Sequence, residues 1–159
     1  MRSKAYVAIL VAYLFATAEL RTVQAEDFGS IEGTWEGELS YLNGPGLSVP
    51  QDQTAHYRIT IRGKRAKAFI WKQGLIAEMK PGEFRLERFQ TNVLVFAMDS
   101  GQDYDGTWIE TLLFAMTQKD RNTLIANFSR VVNNKDLPLS VAYSKFSMIA
   151  TGELKRASP

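Results

Sequence analysis

Apolar and polar residues alternate along most of the chain after Glu26, and the alternation has the period of a β-strand. Residues 55–62, with the sequence AHYRITIR, alternate without interruption, which predicts a strand with one buried face. Gly63 and Lys64 predict a two-residue turn into a second strand at 65–72, so the two segments form a hairpin. Further strands are predicted at 34–42, 75–79, 83–90, 93–98, 107–117, 123–132 and 141–154. Each is bounded by residues typical of turns, such as Ser100 and Gly101 after the strand at 93–98.

These short strands, with no amphipathic helix of three turns among them, predict an all-β fold. Because the connections are short, strands that follow one another along the chain can pair as a meander. This favours an antiparallel up-and-down barrel of about eight to ten strands over a sandwich. Closure of the barrel also removes exposed strand edges. The one long connection, at 43–54, has two glycines and two prolines and is either a binding loop or lid, or a solvated connector.

The first 25 residues have the pattern of a cleaved export signal. Two basic residues precede a charge-free apolar run at 5–18, and small or apolar residues lead up to Ala25. The run is shorter than the about 20 residues that a transmembrane helix requires. We therefore expect a signal peptide at 1–25, with cleavage after Ala18 as the alternative. Residues 26–159 are then expected to form a single domain, periplasmic or secreted.

Composition removes several classes of function. The formal net charge of +2 comes from the leader, which carries three of the 19 basic and one of the 17 acidic side chains. The mature chain is therefore neutral and has no net field that would draw it to nucleic acid. Because the chain has no cysteine and a single histidine, His56, disulfides, thiol nucleophiles and metal sites built from several Cys or His ligands are excluded. We expect no cofactor, no metal and no nucleic-acid partner.

Three short motifs, taken in order, resemble the signatures of the lipocalins, the eight-stranded up-and-down barrels of the calycin group. Gly33 and Trp35 resemble the G-x-W motif of the first lipocalin strand. Asp103 and Tyr104 resemble the Asp-Tyr pair that precedes a late strand, and Arg130 resembles the arginine that ends the next one. The resemblance implies a barrel that carries a small apolar ligand. It also implies that Arg130 packs on Trp35 and closes one end of the barrel.

The pattern around Arg130 agrees with that implication. Alternation along the strand places Arg130 on the same face as Ala126 and Phe128. An arginine on an apolar face needs a partner, and a cation–π contact with a desolvated ring contributes about 2 kcal/mol. The alternative is that the strand ends there and the arginine reaches solvent.

The segment 33–38, with the sequence GTWEGE, also resembles the opening strand of the nitrobindins, small barrels that bind haem through a histidine near the C-terminus. No histidine follows His56. This resemblance therefore supports a barrel and no haem site.

The residues expected to line the barrel and contact a ligand are aromatic or aliphatic and come from six strands. They are Leu39, Tyr41, Tyr57, Ile59, Phe84, Leu86, Trp108, Leu112, Phe114 and Phe128. Glu110 shares a face with Trp108. If that face is inward, Glu110 is a buried carboxyl that is protonated, paired with a base such as Arg130 or Arg88, or set against a polar group of a ligand. The opposite face of the strand is also apolar, so the pattern leaves the inward side open.

Two functions fit these patterns. The first is an exported lipocalin-like protein that holds a small apolar or lipid-like ligand in the barrel. The second is a solid barrel that acts through its loops as an interaction or assembly module of the cell envelope. No catalytic arrangement is recognisable, which argues against an enzyme. Arg62, Lys64, Arg65 and Lys67 crowd one hairpin, either as a membrane contact or as solvated residues that prevent strand pairing. Asn127 begins a glycosylation sequon, which matters only in a eukaryotic secretory pathway.

Overall fold

The computed structural model describes residues 30–42, 53–72, 74–103, 106–134, 136 and 145–158. Nine β-strands contain most of them, and none of the described residues is helical. The strands are β1 (Gly33–Leu42), β2 (Thr54–Arg62), β3 (Arg65–Lys72), β4 (Leu75–Glu78), β5 (Phe84–Phe89), β6 (Asn92–Asp103), β7 (Gly106–Asp120), β8 (Thr123–Asn134) and β9 (Lys145–Arg156). In this part of the chain no helix is long and apolar enough to cross a membrane.

Eight of the strands form a closed antiparallel barrel. Each strand pairs with the next along the chain, except that β4 and β5 do not pair with each other in the described ladder. β3 pairs with both of them instead, and β9 returns to pair with β1. β4 pairs only with β3, so it is an additional strand outside the ring. This confirms the predicted all-β, up-and-down barrel. Closure leaves no free edge at the seam between the first and last strands.

The strands lie where the alternation predicts them, and the largest differences are at their ends. The turn predicted after β6 near Ser100 and Gly101 is wrong, because the ladder between β6 and β7 continues until Asp103 pairs with Gly106. Gly101 lies directly opposite Trp108, and a side chain on Gly101 would collide with the indole ring. The glycine therefore marks a close approach of an aromatic ring to the strand and not a turn.

The two ends of the barrel differ. We call the end where β1 begins and β9 finishes the closed end, and the opposite end the open end. At the closed end the side chain of Trp35 is fully buried, and its indole Nε1 donates a hydrogen bond to the Ile31 carbonyl over 2.8 Å. The Arg156 guanidinium lies 4.3 Å from the centre of the Trp35 ring. This cation–π contact and the buried indole close the barrel.

The predicted contact between Arg130 and Trp35 is wrong. In the register of the sheet Arg130 lies opposite Met148 of β9, whereas Trp35 lies opposite Arg156 of the same strand. The stretch of β9 between Met148 and Arg156 is about 27 Å long at the usual rise per residue. Alternation places Arg130 on the interior face as predicted, but β8 carries it towards the open end. The arginine on Trp35 comes instead from β9, the strand next to β1.

The inward face of β7 is the even-numbered one. Leu112, Phe114 and Met116 are buried, whereas Thr111 and Thr117 are exposed. The alternative that the sequence left open is thereby resolved, and Glu110 lies on the inward face. The predicted interior residues that are buried in the barrel are Leu39, Tyr57, Ile59, Phe84, Leu86, Leu112, Phe114 and Phe128.

Candidate functional site

The open half of the barrel contains a cavity of about 720 Å³. Its floor is aromatic. The rings of Tyr57 and Phe128 line it with their centres 5.3 Å apart, and Phe114 lies beneath them, 5.7 Å from the Tyr57 ring and 4.7 Å from the Phe128 ring. Phe84 continues this cluster at 6.3 Å from Phe114. The aromatic cluster separates the filled half of the barrel from the hollow half.

The wall at the open end is formed in part by Trp108. Its ring lies over Gly101 of the neighbouring strand, where the missing side chain leaves room for it. Trp108 is only partly buried and lines the cavity. The sequence Gly-Thr-Trp occurs at 33–35 and again at 106–108. The two tryptophans lie at opposite ends of the barrel, Trp35 filling the closed end and Trp108 at the wall of the cavity.

Inside the cavity Glu110 and Arg130 form an ion pair. The Arg130 Nε donates to a Glu110 carboxylate oxygen across the β7–β8 ladder. The Glu110 side chain is 12% exposed and the Arg130 side chain is 37% exposed. Of the three alternatives that the sequence left open for an inward Glu110, the structure shows the pairing with Arg130. The pair matters because a carboxylate this buried is costly without a cation beside it.

A second polar group in the cavity is a pair of tyrosine hydroxyls. The hydroxyl oxygens of Tyr41 and Tyr57 are 2.7 Å apart and share a hydrogen bond. Burial and this hydrogen bond raise the pKa of Tyr57 far above its usual value, and the nearby charge of Arg130 lowers it only in part. Tyr57 therefore keeps its proton and offers a neutral hydroxyl at neutral pH.

The cavity is continuous with a gap in the side of the barrel. β5 pairs with residues 92–96 of β6, while residues 97–103 of β6 pair only with β7 among the described strands. β4 pairs with residues 69–72 of β3 and with no other described strand. Residues 77–80 on one side of the gap and Asp99 and Ser100 on the other all line the cavity. The barrel is thus open towards β4 as well as at its end.

The predicted ligand-binding residues fall into two groups. The first group lines the cavity and consists of Tyr41, Tyr57, Trp108, Glu110, Leu112 and Phe128. The second group packs in the core without lining the cavity and consists of Leu39, Ile59, Phe84, Leu86 and Phe114. Ligand contact by the first group stays a prediction.

Several cavity residues were missed by the sequence. Ile70 continues the inward alternation of Ala66 and Ala68 along β3, so the pattern held the signal for it. Met148 likewise shares its face with Ala150 on β9. Residues 77–80 carried no such signal, because they line the cavity only through the bend that takes the chain from β4 to β5.

Parts of the predicted site and leader lie outside the described residues. These are the signal peptide at 1–25, Tyr104, the side chain of Asp103, and the connection after Leu42 up to residue 52. The strand ends that flank this connection, Leu42 and Gln53, are at the open end, where the Tyr41 amide donates to the Gln53 carbonyl.

The basic hairpin lies at the closed end, on the far side of the barrel from the cavity mouth. All four of its basic side chains are exposed, and two of them form ion pairs, Arg65 with Glu83 and Lys67 with Glu78, each at 2.9 Å. His56 lies on the outer wall, with its ring centre 4.4 Å from that of Trp71. Neither His56 nor any of these basic residues is among the described residues that line the cavity, although Lys67 contacts the lining residue Glu78.

The cavity has polar groups that suit binding of a ligand. The part of the chain that the structure covers contains no group of three or more histidine or acidic side chains placed to hold a metal ion. Tyr41, Glu110 and Arg130 instead provide hydrogen-bonding groups beside an apolar floor. No protein-family model matches the chain, and comparison with curated proteins and with solved structures gives no match either.

Proposed function

We propose that this protein is an exported, lipocalin-like carrier that holds one small apolar or lipid-like molecule in the open half of its barrel. The observation that carries the proposal is the cavity of about 720 Å³ above the aromatic floor. Small-molecule sites in proteins have volumes of about 300–1,000 Å³, and they combine apolar walls with a few converging polar groups. Tyr57, Leu112 and Phe128 provide such walls, and Glu110 and Arg130 such polar groups.

The apolar floor supplies the driving force for binding. Removal of apolar surface from water contributes roughly 25 cal/mol per Å². A ligand that buries about 200 Å² of apolar surface therefore gains about 5 kcal/mol, before the cost of immobilising it is subtracted. The polar groups at the wall would then orient the ligand.

Two features support a lipocalin-like barrel in particular. Eight strands close as a meander, and the tryptophan near the start of β1 fills one end under an arginine of the adjacent strand. An eight-stranded barrel has an interior wide enough either to be filled by side chains or to hold one small ligand. Export is proposed on the pattern of residues 1–25, and N-terminal sequencing of the protein from its native compartment would establish the cleavage site.

The carrier function can be tested with Nile red, an uncharged dye whose fluorescence rises in apolar sites. We expect the wild-type protein to bind it, and Leu112→Trp to weaken binding by about tenfold or more, because Leu112 lines the cavity and a larger ring fills it. The matched control is Leu113→Trp. Leu113 lies on the opposite, outward face of β7, so this variant should bind the dye as the wild type does. Circular dichroism of both variants monitors the fold.

A second candidate, the interaction or assembly module, is favoured by one observation. Leu94, Met98, Val131 and Ile149 are apolar side chains that are exposed on the outer wall of β6, β8 and β9. In this function the exposed wall, the loops and the basic hairpin would contact other molecules. Wild-type protein that fails to bind Nile red, and that native mass spectrometry finds empty after purification from its natural compartment, would replace the carrier with this module.

A further inference from the structure

The charged groups of the cavity define the chemical class of its ligand. We propose that the ligand carries an uncharged hydrogen-bonding group, a hydroxyl or an amide, and that Glu110 excludes molecules that end in a carboxylate. This inference rests on the proposed carrier function, since it names the class of molecule for the same cavity.

The first observation is that the positive charge of Arg130 already has a partner inside the cavity. Its guanidinium donates to the Glu110 carboxylate. In the register of the sheet, Asp99 of β6 lies directly opposite Glu110, and it also lines the cavity. Among the described residues, three carboxylates and two cations line the cavity, namely Glu78, Asp99, Glu110, Lys80 and Arg130. Of these carboxylates, Glu110 is paired with Arg130 and Glu78 with Lys67 outside the lining, so the cavity offers a ligand carboxylate no cation that lacks a partner carboxylate at the Glu110–Arg130 pair.

A ligand carboxylate fits this arrangement poorly. To pair with Arg130 it must displace Glu110, whose side chain is only 12% exposed. A carboxylate that loses its cation in such a place is destabilised, because neither water nor another charge replaces the lost contact. A ligand carboxylate that instead joins the intact pair brings a second negative charge beside Glu110 and near Asp99. Both routes cost binding energy.

A cationic ligand meets the opposite obstacle. An ammonium group at the Glu110–Arg130 pair would lie beside the Arg130 guanidinium and would have to give up its own hydration. The remaining carboxylates offset this loss only in part, because each already has a partner. Glu78 is ion-paired with Lys67 at 2.9 Å and its side chain is 40% exposed, and Asp99 accepts a hydrogen bond from the Ser100 amide.

An uncharged hydroxyl or amide is accommodated without breaking any pair. Within the part of the chain that the structure describes, the hydroxyls of Tyr41 and Tyr57 share one hydrogen bond, and a tyrosine hydroxyl can both donate and accept. They lie in the same cavity as the Glu110–Arg130 pair, whose carboxylate can also accept a hydrogen bond from a neutral group. The apolar floor then receives the hydrocarbon part of the ligand.

The test is displacement of Nile red by four probes with the same hydrocarbon chain: dodecanol, dodecanamide, dodecanoic acid and dodecylamine. The titrations are run at about pH 7, where the carboxyl is ionised and the amine protonated. With the wild-type protein, dodecanol and dodecanamide should displace the dye at concentrations about tenfold lower than the acid and the amine require.

Glu110→Gln isolates the residue that sets this preference. The substitution keeps the size of the side chain and removes its negative charge, so a ligand carboxylate beside Arg130 is no longer repelled by Glu110 and need not displace it. Dodecanoic acid should then bind about tenfold more tightly than to the wild type, with dodecanol changed by less than about threefold. The matched control is Asp99→Asn, the same chemical change directly across the ladder. Asp99→Asn should tighten the binding of dodecanoic acid by less than about threefold.

The outcomes separate the inference from the function on which it rests. If the wild-type protein binds Nile red and prefers dodecanoic acid or dodecylamine to dodecanol, the inference is overturned and the carrier function stands. Equal gains in dodecanoic acid binding from Glu110→Gln and Asp99→Asn would overturn the role of Glu110, since any removed charge would then serve. If Nile red does not bind the wild type at all, the carrier function fails and the inference fails with it.

Discussion

The closed and open halves of the barrel are formed by the same ring of strands, yet only the closed half is filled. At the closed end Trp35, Ile61 and Leu154 are fully buried, and Arg156 covers the tryptophan. In the open half the inward positions include an ion pair and two hydroxyls around a cavity of about 720 Å³. One end holds the fold together, and the other leaves room for a second molecule.

The difference arises from two properties of β5 and β6. The inward residues of β6 are Val93 and Val95 towards the closed end but Ala97, Asp99 and Gly101 towards the open end, so its contribution to packing decreases along the strand. β5 is only six residues long and pairs with residues 92–96, the first part of β6. A short strand and small inward residues thus create both the cavity and the gap beside β4. Packing density can vary within one continuous ladder.

The two halves also differ in where they place their charges. In the closed half the acids lie outside. Glu36 of β1 projects from the outer wall and contacts Arg58 at 3.0 Å and His56 at 3.3 Å. In the open half Glu110 and Arg130 face inward. An interior charge pair gives little net stability compared with apolar packing, so we interpret the inward pair as a feature of binding.

The largest difference between the halves should appear in the two tryptophans. Trp35→Ala removes a fully buried indole and its cation–π contact, and should lower the free energy of unfolding by about 3–5 kcal/mol. Trp108→Ala removes a partly buried ring that already borders a cavity, and should cost about 1 kcal/mol or less. Urea unfolding followed by far-UV circular dichroism measures both. Equal losses for the two variants would contradict the division into a stabilising half and a binding half.

A smaller contrast is expected between two glycines, one at the β1–β9 seam and one beside the gap. A side chain on Gly152 would collide with the backbone carbonyl of Glu38 across the seam, which cannot move without breaking the ladder. Gly152→Ala should therefore cost about 1–3 kcal/mol. On Gly101 a side chain would meet only the Trp108 ring. Since the Trp108 side chain borders the cavity and can rotate away, Gly101→Ala should lower the free energy of unfolding by less than about 1 kcal/mol.

The same urea titrations and a Nile red titration distinguish the two glycine variants. Gly101→Ala should alter dye affinity more than stability, because it displaces the ring that forms the cavity wall. Gly152→Ala should alter stability and leave the affinity of the folded protein unchanged. If Gly152→Ala instead changed the dye affinity and Gly101→Ala did not, packing at the β1–β9 seam would control the cavity more than the wall at Trp108.

The fold was predictable because alternation reports burial on one face of each strand directly. The β2–β3 hairpin illustrates this, since its unbroken alternation and two-residue turn gave both strands nearly to the residue. Ser100 and Gly101 were misassigned as a turn, because a glycine that makes room for a ring looks the same in sequence as a glycine that bends the chain. The local pattern contains no information about what lies across the ladder.

The site was only partly predictable because it depends on register. Alternation identifies Arg130 as inward, but its partner depends on how β8 is aligned with β7 and β9, and a shift along a strand moves a side chain by several ångströms. The register of the strands places Glu110 beside Arg130 and places the Arg156 guanidinium over the Trp35 ring. Whether aromatic residues fill a barrel or leave a cavity depends likewise on strand lengths, as the short β5 shows.

The smallest predicted effect concerns the acid on the outer wall of the closed half. Partial burial acts to raise the pKa of the Glu36 carboxyl, but hydrogen bonds and charge attraction from Arg58 and His56 outweigh it and hold the pKa below its ordinary value. An acid with a lowered pKa in the folded state stabilises the fold above its unfolded pKa, and loses this contribution as the pH falls through the folded value. Glu36→Gln removes the contribution.

The stability difference between wild type and Glu36→Gln should therefore be largest above the ordinary carboxyl pKa and should shrink as the pH falls through the lowered pKa of Glu36. Because the Glu36 side chain is 26% exposed, the difference should stay below about 1 kcal/mol even at its largest. Urea unfolding across this pH range measures it. Glu38→Gln is the matched control, an exposed carboxyl on the same face of β1, and should change the stability less than Glu36→Gln does. If the stability difference between wild type and Glu36→Gln instead grew as the pH falls, the ion pairs of Glu36 with Arg58 and His56 would not be stabilising the fold.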